Sequence, residues 1–506
     1  MSQRLLIIVT WIGIVILSLT LRLHNLEKRP IHADEATGAR ILARQLAGED
    51  YQFDPQHFHG PLLSLSSLPI ARSRSETSWS ELSTTTLRLG AAIAGLLVVF
   101  TPLLWRRSIG SWGALAAAAL LASSPLMVYY NRMYIHESLL TLFAMLACAA
   151  VFRLSQQPSK RIGIASGLCI GLMFATKETF AISILAWLPA AGLCYWRQPT
   201  NDARHLCPNL RLYLLPSVFL VITAAFTAAY FYSDGFRSMQ GSIDAVRTYF
   251  VYETTAGHEK GLGYYFELLL WPKQQLGIWW TEVLIGLLAL IAIAFAAVKR
   301  VPNPAVLFLA IATVCHFIIY SCIGYKTPWL MMVPWAHACL LAGCAFSYLP
   351  DLKTRSRIIL TLLLLTGLAY QTKQSIHASG RLANDSRNPY AYVPTSTDAP
   401  KIERWLHELR ALADAPVLSP IAVIGQEYWP LPWYLRTFET IGYWPTPIQG
   451  ITDLPIIFAM PAQDQACDDL LGASHTKLPR GLRANVAVTL YLRNDIWQLW
   501  MHTDEQ

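Results

Sequence analysis

Charged side chains are scarce: they make up 14% of the 506 residues, against 54% hydrophobic, where a soluble domain carries about a quarter charged. That scarcity excludes a chain built only of water-soluble domains. Cysteines placed for disulfides are also lacking. Of nine, Cys148, Cys169, Cys194, Cys315, Cys322, Cys339 and Cys344 lie inside apolar runs, Cys207 lies between two runs, and Cys467 alone is in the polar C-terminal part, so no disulfide framework can hold that part. Metal signatures are missing as well. The pair His57-x-His59 gives two ligands at most, without HExxH, a cysteine pair or an Asp-x-Asp after the first apolar run. No cofactor is expected and no metal is required, although His24, His32, His57, His59, His136 and His258 leave room for a divalent ion. No internal repeat or low-complexity tract is visible.

What the chain has is a succession of apolar runs, and a helix needs roughly 20 such residues to cross a hydrocarbon core of about 30 Å. Eleven runs are read as spans, near 5–21, 88–105, 110–130, 138–153, 162–176, 179–196, 212–232, 280–298, 304–324, 328–349 and 358–373. The first could pass for a signal-peptide core, but no small-residue cleavage site follows it, so it is taken as an uncleaved anchor. Basic residues collect on alternate loops: Arg106 and Arg107; Arg153, Lys160 and Arg161; Arg197, Arg204 and Arg211; Lys299 and Arg300; Lys353, Arg355 and Arg357. The bias of Lys and Arg toward the inner face puts these loops and the N-terminus in the cytoplasm and the C-terminal part outside. It also accounts for most of the +8 net charge, so nucleic acid is not needed as a partner. The expectation is an α-helical polytopic protein of the inner or plasma membrane, with a membrane domain over 1–373 and an extracytoplasmic α/β domain over 374–506.

Within 1–373, the first external loop, 22–87, carries a helical stretch from about Asp34 to Leu46, expected to lie along the interface. In the tail, "KIERWLHELRALA" reads as an amphipathic helix, "PIAVIG", "LPIIFAM" and "VAVTLYL" as buried strands, and "EYWPLPWYLR" as opening a helix after its prolines.

With the topology set, the unusual polar residues sort to the outer side: Asp34 and Glu35 in "HADEA", His57 and His59 in "FHGPLL", Arg132 to Glu137 in "RMYIHE", Lys177 and Glu178 in "ATKET", the loop "YFVYETTAGHEKG", and Tyr325, Lys326 and Trp329 in "GYKTPW". Charge at membrane depth is costly, so Lys177 and Glu178 mark either a site or an ion pair locking two helices. Asp34, at a membrane exit, is a candidate base; Glu35 is either its helper or a first-turn acid favoured by the helix dipole. His59, Arg132, Lys177 and Lys326 are candidate ligands of a lipid-linked phosphate through charge-assisted hydrogen bonds. His57, Tyr134, Glu137, Glu178, Tyr325 and Trp329 are taken to line the substrate cleft. Trp279, Trp280, Tyr264, Tyr265, Trp329 and Trp335 fit an interfacial aromatic belt.

The order of these motifs resembles the GT-C superfamily of membrane glycosyltransferases, in its dolichyl-phosphate-mannose protein mannosyltransferase-like branch. "HADEA", "FHGPL", "TKE" and "GYKTPWL", with "YWPLPWYLR" in the tail, are also similar to a prokaryotic family labelled glycosyltransferase-like or flippase-associated. The resemblance implies a polyprenyl-phosphate-sugar donor, an external active site and inversion at the anomeric carbon. It implies Asp34 as general base, Glu35 as an orienting acid, and His59 and Lys326 on the donor phosphate. His136-Glu137 stands where relatives often have proline-aspartate, and "YETTAGHE" has no counterpart, which leaves open the roles of Glu137, Glu253 and Glu259. The acceptor stays open among lipid, glycan and protein. The alternative is a lipid-linked-sugar-binding protein or flippase component that keeps the fold without the chemistry; a transporter would place its polar groups near the midplane rather than at one edge.

Overall fold

The computed structural model describes residues 2–197, 211–252, 257–298, 303–412 and 418–502; Arg204, Cys207, Glu253, Lys299 and Arg300 lie outside the described residues. The helices are, in order, α1 (Gln3–Leu23), α2 (Ala33–Leu46), α3 (Leu62–Ser73), α4 (Thr84–Phe100), α5 (Arg106–Ser123), α6 (Pro125–Asn131), α7 (Glu137–Gln156) and α8 (Lys160–Thr176). Next come α9 (Phe180–Trp196), α10 (Arg211–Tyr232), α11 (Gln240–Val251), α12 (Tyr264–Leu269), α13 (Val283–Val298), α14 (Pro304–Cys322), α15 (Met332–Gly343) and α16 (Thr354–Ser379). The last four are α17 (Ala399–Leu412), α18 (Leu431–Tyr434), α19 (Asp464–Leu471) and α20 (Asn494–Met501). By contacts the chain forms two units, one of Met1–Leu26, Gly48–Ser75 and Thr85–Arg381, the other of Glu27–Ala47, Glu76–Thr84 and Leu382–Gln506. The loop 22–87, expected to go wholly with the membrane part, is divided between them.

In the first unit, six helical segments among the described residues are long and apolar enough to cross a bilayer: Gln3–Leu23, Thr84–Ser123, Glu137–Gln156, Arg211–Tyr232, Pro304–Cys322 and Pro328–Asp351. Phe180–Trp196 and Val283–Val298 are shorter apolar helices. Leu5, Ile8, Val9, Ile12 and Ile16 on α1 and Leu212, Val221, Ile222 and Phe226 on α10 are exposed. Contiguous outward apolar faces of this kind suit lipid rather than water as solvent.

Without a hydrophobic drive between helices in lipid, close packing must come from small residues. Gly163, Gly167 and Gly171 fall at every fourth position of α8 and form one stripe against α10. A Cβ at Gly163 would stand 2.2 Å from the Pro216 carbonyl oxygen, and one at Gly167 2.3 Å from that of Leu220. Gly167→Ala therefore lowers the melting temperature of the purified protein, whereas Gly192→Ala on α9, where nothing lies within 4 Å, leaves it unchanged or raises it, since alanine is favoured in helices by about 1 kcal/mol.

Helix ends in the bundle are closed by arginines. Arg22, at the end of α1, donates to the Leu121 and Ala122 carbonyls at the end of α5 (2.9 and 3.0 Å) and to Asn131 Oδ1 (3.0 Å). Arg132 donates to the carbonyls of Leu21, Arg22 and Asn25 at the exit of α1 (3.0, 3.1 and 3.0 Å). Both satisfy carbonyls that a helix leaves unpaired, where the dipole favours a cation. Glu282, a carboxylate that the sequence reading did not single out, is fully buried before α13. It accepts from Ser124 Oγ (2.5 Å), Leu126 N (3.0 Å) and Trp335 Nε1 (2.7 Å). Tyr265, Trp280 and Trp335, expected in an aromatic belt, are buried in protein, whereas Trp279 is exposed.

The strands are β1 (Lys273–Gln275) and β2 (Ile278–Trp280), a hairpin of the first unit, and β3 (Ile421–Ile424), β4 (Ile441–Trp444), β5 (Ile456–Ala459), β6 (His475–Arg483) and β7 (Val486–Arg493) of the second. The five-stranded sheet has the order β4-β3-β5-β7-β6. Strands β4, β3 and β5 are parallel, and β7 and β6 join antiparallel. Ala422, Ile424, Ile457, Ala459 and Tyr491 on the sheet pack with Cys467 and Leu471 of α19. The helix read at "KIERWLHELRALA" is α17, and the three strands read in the tail are β3, β5 and β7. The edge strands β4 and β6 come in addition to the three expected from the sequence. Strand β6 carries Pro479 and a bulge between Gly481 and Arg483, features confined to edges, where no continuous apolar run is needed.

Candidate functional site

In the first unit the site is built at the ends of α7 and α8. Gly60 sits directly on the end of α8: a Cβ there would meet the Ala175 carbonyl oxygen at 2.2 Å, so only glycine lets "FHGPLL" lie against "ATKET". That seating brings His59 Nδ1 to 3.0 Å from Glu178 Oε2. At the next residue, Lys177 Nζ donates to Glu137 Oε1 at 2.6 Å, with both side chains buried. His136 Nε2 lies 3.2 Å from the Gly60 carbonyl, and its ring is edge-on to His59 with centroids 5.1 Å apart.

The electrostatics follow from this packing. Burial alone would lower the Lys177 ammonium, but Glu137 and Glu178 outweigh it and hold it above the usual lysine range. Burial would raise the Glu178 carboxyl; the charge and hydrogen bond of His59, then Lys177, hold it instead at about 2, below its ordinary 4.5. Burial, then His59 and Lys177, keep His136 neutral. A carboxyl depressed by folding adds stability above pH 4.5 and loses it as pH falls toward about 2. The fall in melting temperature over that acid range is therefore smaller for Glu178→Gln than for the parent protein.

Two tyrosines without an assigned role join this cluster. Tyr252 stacks on His59 with centroids 5.6 Å apart, and the Tyr249 hydroxyl donates to the Glu178 carbonyl at 2.9 Å. Their i, i+3 spacing at the end of α11 puts both on one face, the sequence signal that could have picked them out.

Other expected residues fall elsewhere. Lys326 is buried, and its ammonium donates to the Lys260 carbonyl (3.0 Å) and to that of Ile323. The segment after "YETTA" pairs with "GYK": Lys326 N donates to His258 O at 3.0 Å and Lys260 N to Gly324 O at 3.1 Å, with the His258 and Tyr325 rings 5.1 Å apart. This places part of the loop that had no counterpart. Trp329 packs edge-on to Tyr130, Tyr134 is buried beside Ser67, and His57 is exposed, 3.0 Å from Asp54. Arg132, expected on a phosphate, has its guanidinium on the α1 carbonyls.

Asp34 and Glu35 belong to the second unit. His32 caps α2, its Nδ1 accepting from Asp34 N at 3.1 Å, while Glu35 Oε2 accepts from His32 N at 2.9 Å. This reciprocal capping box fixes Glu35, which is fully buried with Arg29 at 3.9 Å. Asp34 keeps a side chain 55% exposed. The stretch is tied to the tail: Ile31 N donates to the Tyr434 hydroxyl (3.3 Å), Thr395 Oγ1 to Ile31 O (2.6 Å), and His32 Nε2 lies 3.2 Å from Tyr392 O. The apolar face of α2, with Ala36, Ala39 and Leu42, is buried in protein rather than open to an interface. Among the described residues, no three His, Cys, Asp or Glu side chains come together as a metal cluster.

A multi-pass helical bundle, together with a small α/β sheet unit, is the GT-C fold of membrane glycosyltransferases, and the resemblance drawn from the motifs is borne out at that level. The family model for dolichyl-phosphate-mannose-protein mannosyltransferase matches residues 80–229. ArnT from Cupriavidus metallidurans in the apo state is similar over 97% of this chain and 98% of its own, with 14% identity and a TM-score of 0.64. The same protein bound to undecaprenyl phosphate is similar over 95% and 97%, with 16% identity and a TM-score of 0.57. AglB from Archaeoglobus fulgidus, in complex with an inhibitory peptide and a dolichol-phosphate, is similar over 98% and 77%, with 13% identity and a TM-score of 0.52. At these identities the likeness is one of fold. No curated protein sequence matches the chain.

Proposed function

We propose that this protein is an integral membrane glycosyltransferase that moves a sugar from a polyprenyl phosphate to an acceptor on the extracytoplasmic face. The observation that carries the reading is a buried lysine, Lys177, three residues from each of two aromatic residues, Phe174 and Phe180, that line an apolar cavity. A cavity of about 700 Å³ runs along α8, α9 and α10, lined by Phe174, Phe180, Trp187, Leu188, Tyr195 and Leu220; Phe174 and Phe180 flank Lys177 and Glu178 in sequence. An isoprenoid tail suits such a groove, and a phosphate at its head would meet Lys177. ArnT binds undecaprenyl phosphate and AglB a dolichol-phosphate, the same chemical class, on the same fold.

Asp34 is the general base. It takes the proton of the acceptor hydroxyl, the acceptor oxygen attacks the anomeric carbon from the face opposite the phosphate, and the bond from that carbon to the phosphate oxygen breaks, leaving polyprenyl phosphate with the electron pair. His59, Lys177 and Lys326 stabilise the departing charge, Lys177 exchanging its contact with Glu137 for one with phosphate. Two or more cations neutralise a phosphate monoester, so no divalent ion is demanded. Eleven crossings, a cytoplasmic N-terminus and an external tail complete the assignment, and the acceptor is a lipid, a glycan or a protein.

The test is sugar release from synthetic polyprenyl-phosphate sugars by the purified full-length protein across a panel of acceptors. Turnover with any donor and acceptor pair supports the transferase; donor binding without turnover across the panel overturns it.

A further inference from the structure

Helices α7 and α8 each begin or end at the cluster just described and run to a second feature at their other ends. Glu137 opens α7 and Arg153 lies in its last turn; Lys177 follows α8 and Ile162 lies in its first. A helix of 20 residues such as α7 spans about 30 Å, so the two features stand at opposite ends of the bundle. The second is a cavity of about 1270 Å³. Arg106, Arg107 and Arg153, all exposed, line it together with Asn303 and one acid, Asp351.

The arginines converge from two chain segments because the backbone turns sharply there. Gly110, inside α5, has φ +73, a conformation that glycine adopts without strain. Arg153 is steadied by donating to Leu104 O at 2.7 Å, and Arg106 by donating to Ser111 Oγ at 3.1 Å. Guanidinium groups match phosphate oxygens in charge and geometry. Part of the lining, with Leu103, Leu104, Phe152 and Ile162, is apolar, beside the polar Ser108, Gln156, Gln157 and Ser347, and Leu103 is 41% exposed. A soluble anion has no use for that apolar part of the wall.

We propose that this cavity binds the phosphodiester headgroup of an anionic diacyl phospholipid in the leaflet opposite to the Lys177 cluster, with Arg106, Arg107 and Arg153 on the phosphate and the acyl chains along the Leu103 and Ile162 side. The site is independent of the glycosyltransferase reading. Positive residues on one face are ordinary in membrane proteins; three arginines around one cavity with an apolar wall are what a lipid with a charged head needs.

The test is native mass spectrometry of the full-length protein in detergent, titrated with phosphatidylglycerol, cardiolipin and phosphatidylcholine. The anionic lipids bind and survive activation, and phosphatidylcholine does not. Replacing Arg106, Arg107 and Arg153 by Gln weakens phosphatidylglycerol binding on the order of 100-fold. Replacing Arg161, Lys353 and Arg355 by Gln removes equal charge from exposed positions outside the cavity and leaves binding unchanged. Should the first triple variant fail to fold, the exposed single Arg107→Gln carries the test, with binding several-fold weaker. Equal loss in both triple variants, equal binding of phosphatidylcholine, or displacement of the lipid by millimolar inorganic phosphate or pyrophosphate overturns the proposal.

Discussion

On the proposed mechanism, Asp34→Asn lowers the transfer rate about 10²- to 10⁴-fold, the usual contribution of a general base, with donor binding and thermal stability both unchanged. The carboxylate is more than half exposed, and amide for carboxylate at a first-turn position costs at most about 1 kcal/mol of dipole interaction. Its neighbour behaves in the opposite way. Glu35→Ala opens the capping box and removes a buried acceptor from His32 N, which costs about 0.5–2 kcal/mol of stability and lowers activity only as far as the folded fraction falls. Measuring kcat, KM and melting temperature on both variants separates the two adjacent acids. Full transfer by folded Asp34→Asn would falsify the assignment of the base.

Lys177→Met has the largest expected effect on stability. The ammonium and the Glu137 carboxylate are buried together at 2.6 Å, and removing one partner leaves the other uncompensated, a loss of about 3–5 kcal/mol. Adding Glu137→Gln to Lys177→Met restores most of that stability, because the orphaned charge goes with it. It does not restore binding of a polyprenyl phosphate, if Lys177 holds the donor. A double-mutant cycle read by denaturation, with lipid binding measured on the double variant, tests both parts. Full lipid binding by the double variant means that the pair is only a lock between α7 and α8.

Much of this was legible in the chain because bilayer physics acts on sequence directly. A residue facing lipid must be apolar whatever its neighbours, so the helices of the bundle could be read from composition, and the strands β3, β5 and β7, buried on both faces, showed as apolar runs. The grouping of His59, Lys177 and Glu178 on one side followed from alternation of loops. Roles were harder to read. Arg132 and Lys177 look alike in sequence, each a cation beside an apolar span, but Arg132 closes the end of α1 while Lys177 meets the buried Glu137 carboxylate. Tyr249 and Tyr252 carry no charge to mark them, and Glu282 shows its function only through Ser124, Leu126 and Trp335, far from it along the chain.

The sequence by itself determined that the protein spans a membrane, that its ionisable residues collect at span ends, and that "HADEA" opens a helix, since each depends on local composition and short-range caps. Only the tertiary structure decided that the entry to this helix, at Ile31 and His32, is tied to Tyr392, Thr395 and Tyr434 of the tail, and that His59 reaches Glu178. Those outcomes rest on contacts between residues tens to hundreds of positions apart, and on close approaches, such as Gly60 on Ala175, that leave no periodic trace in the chain.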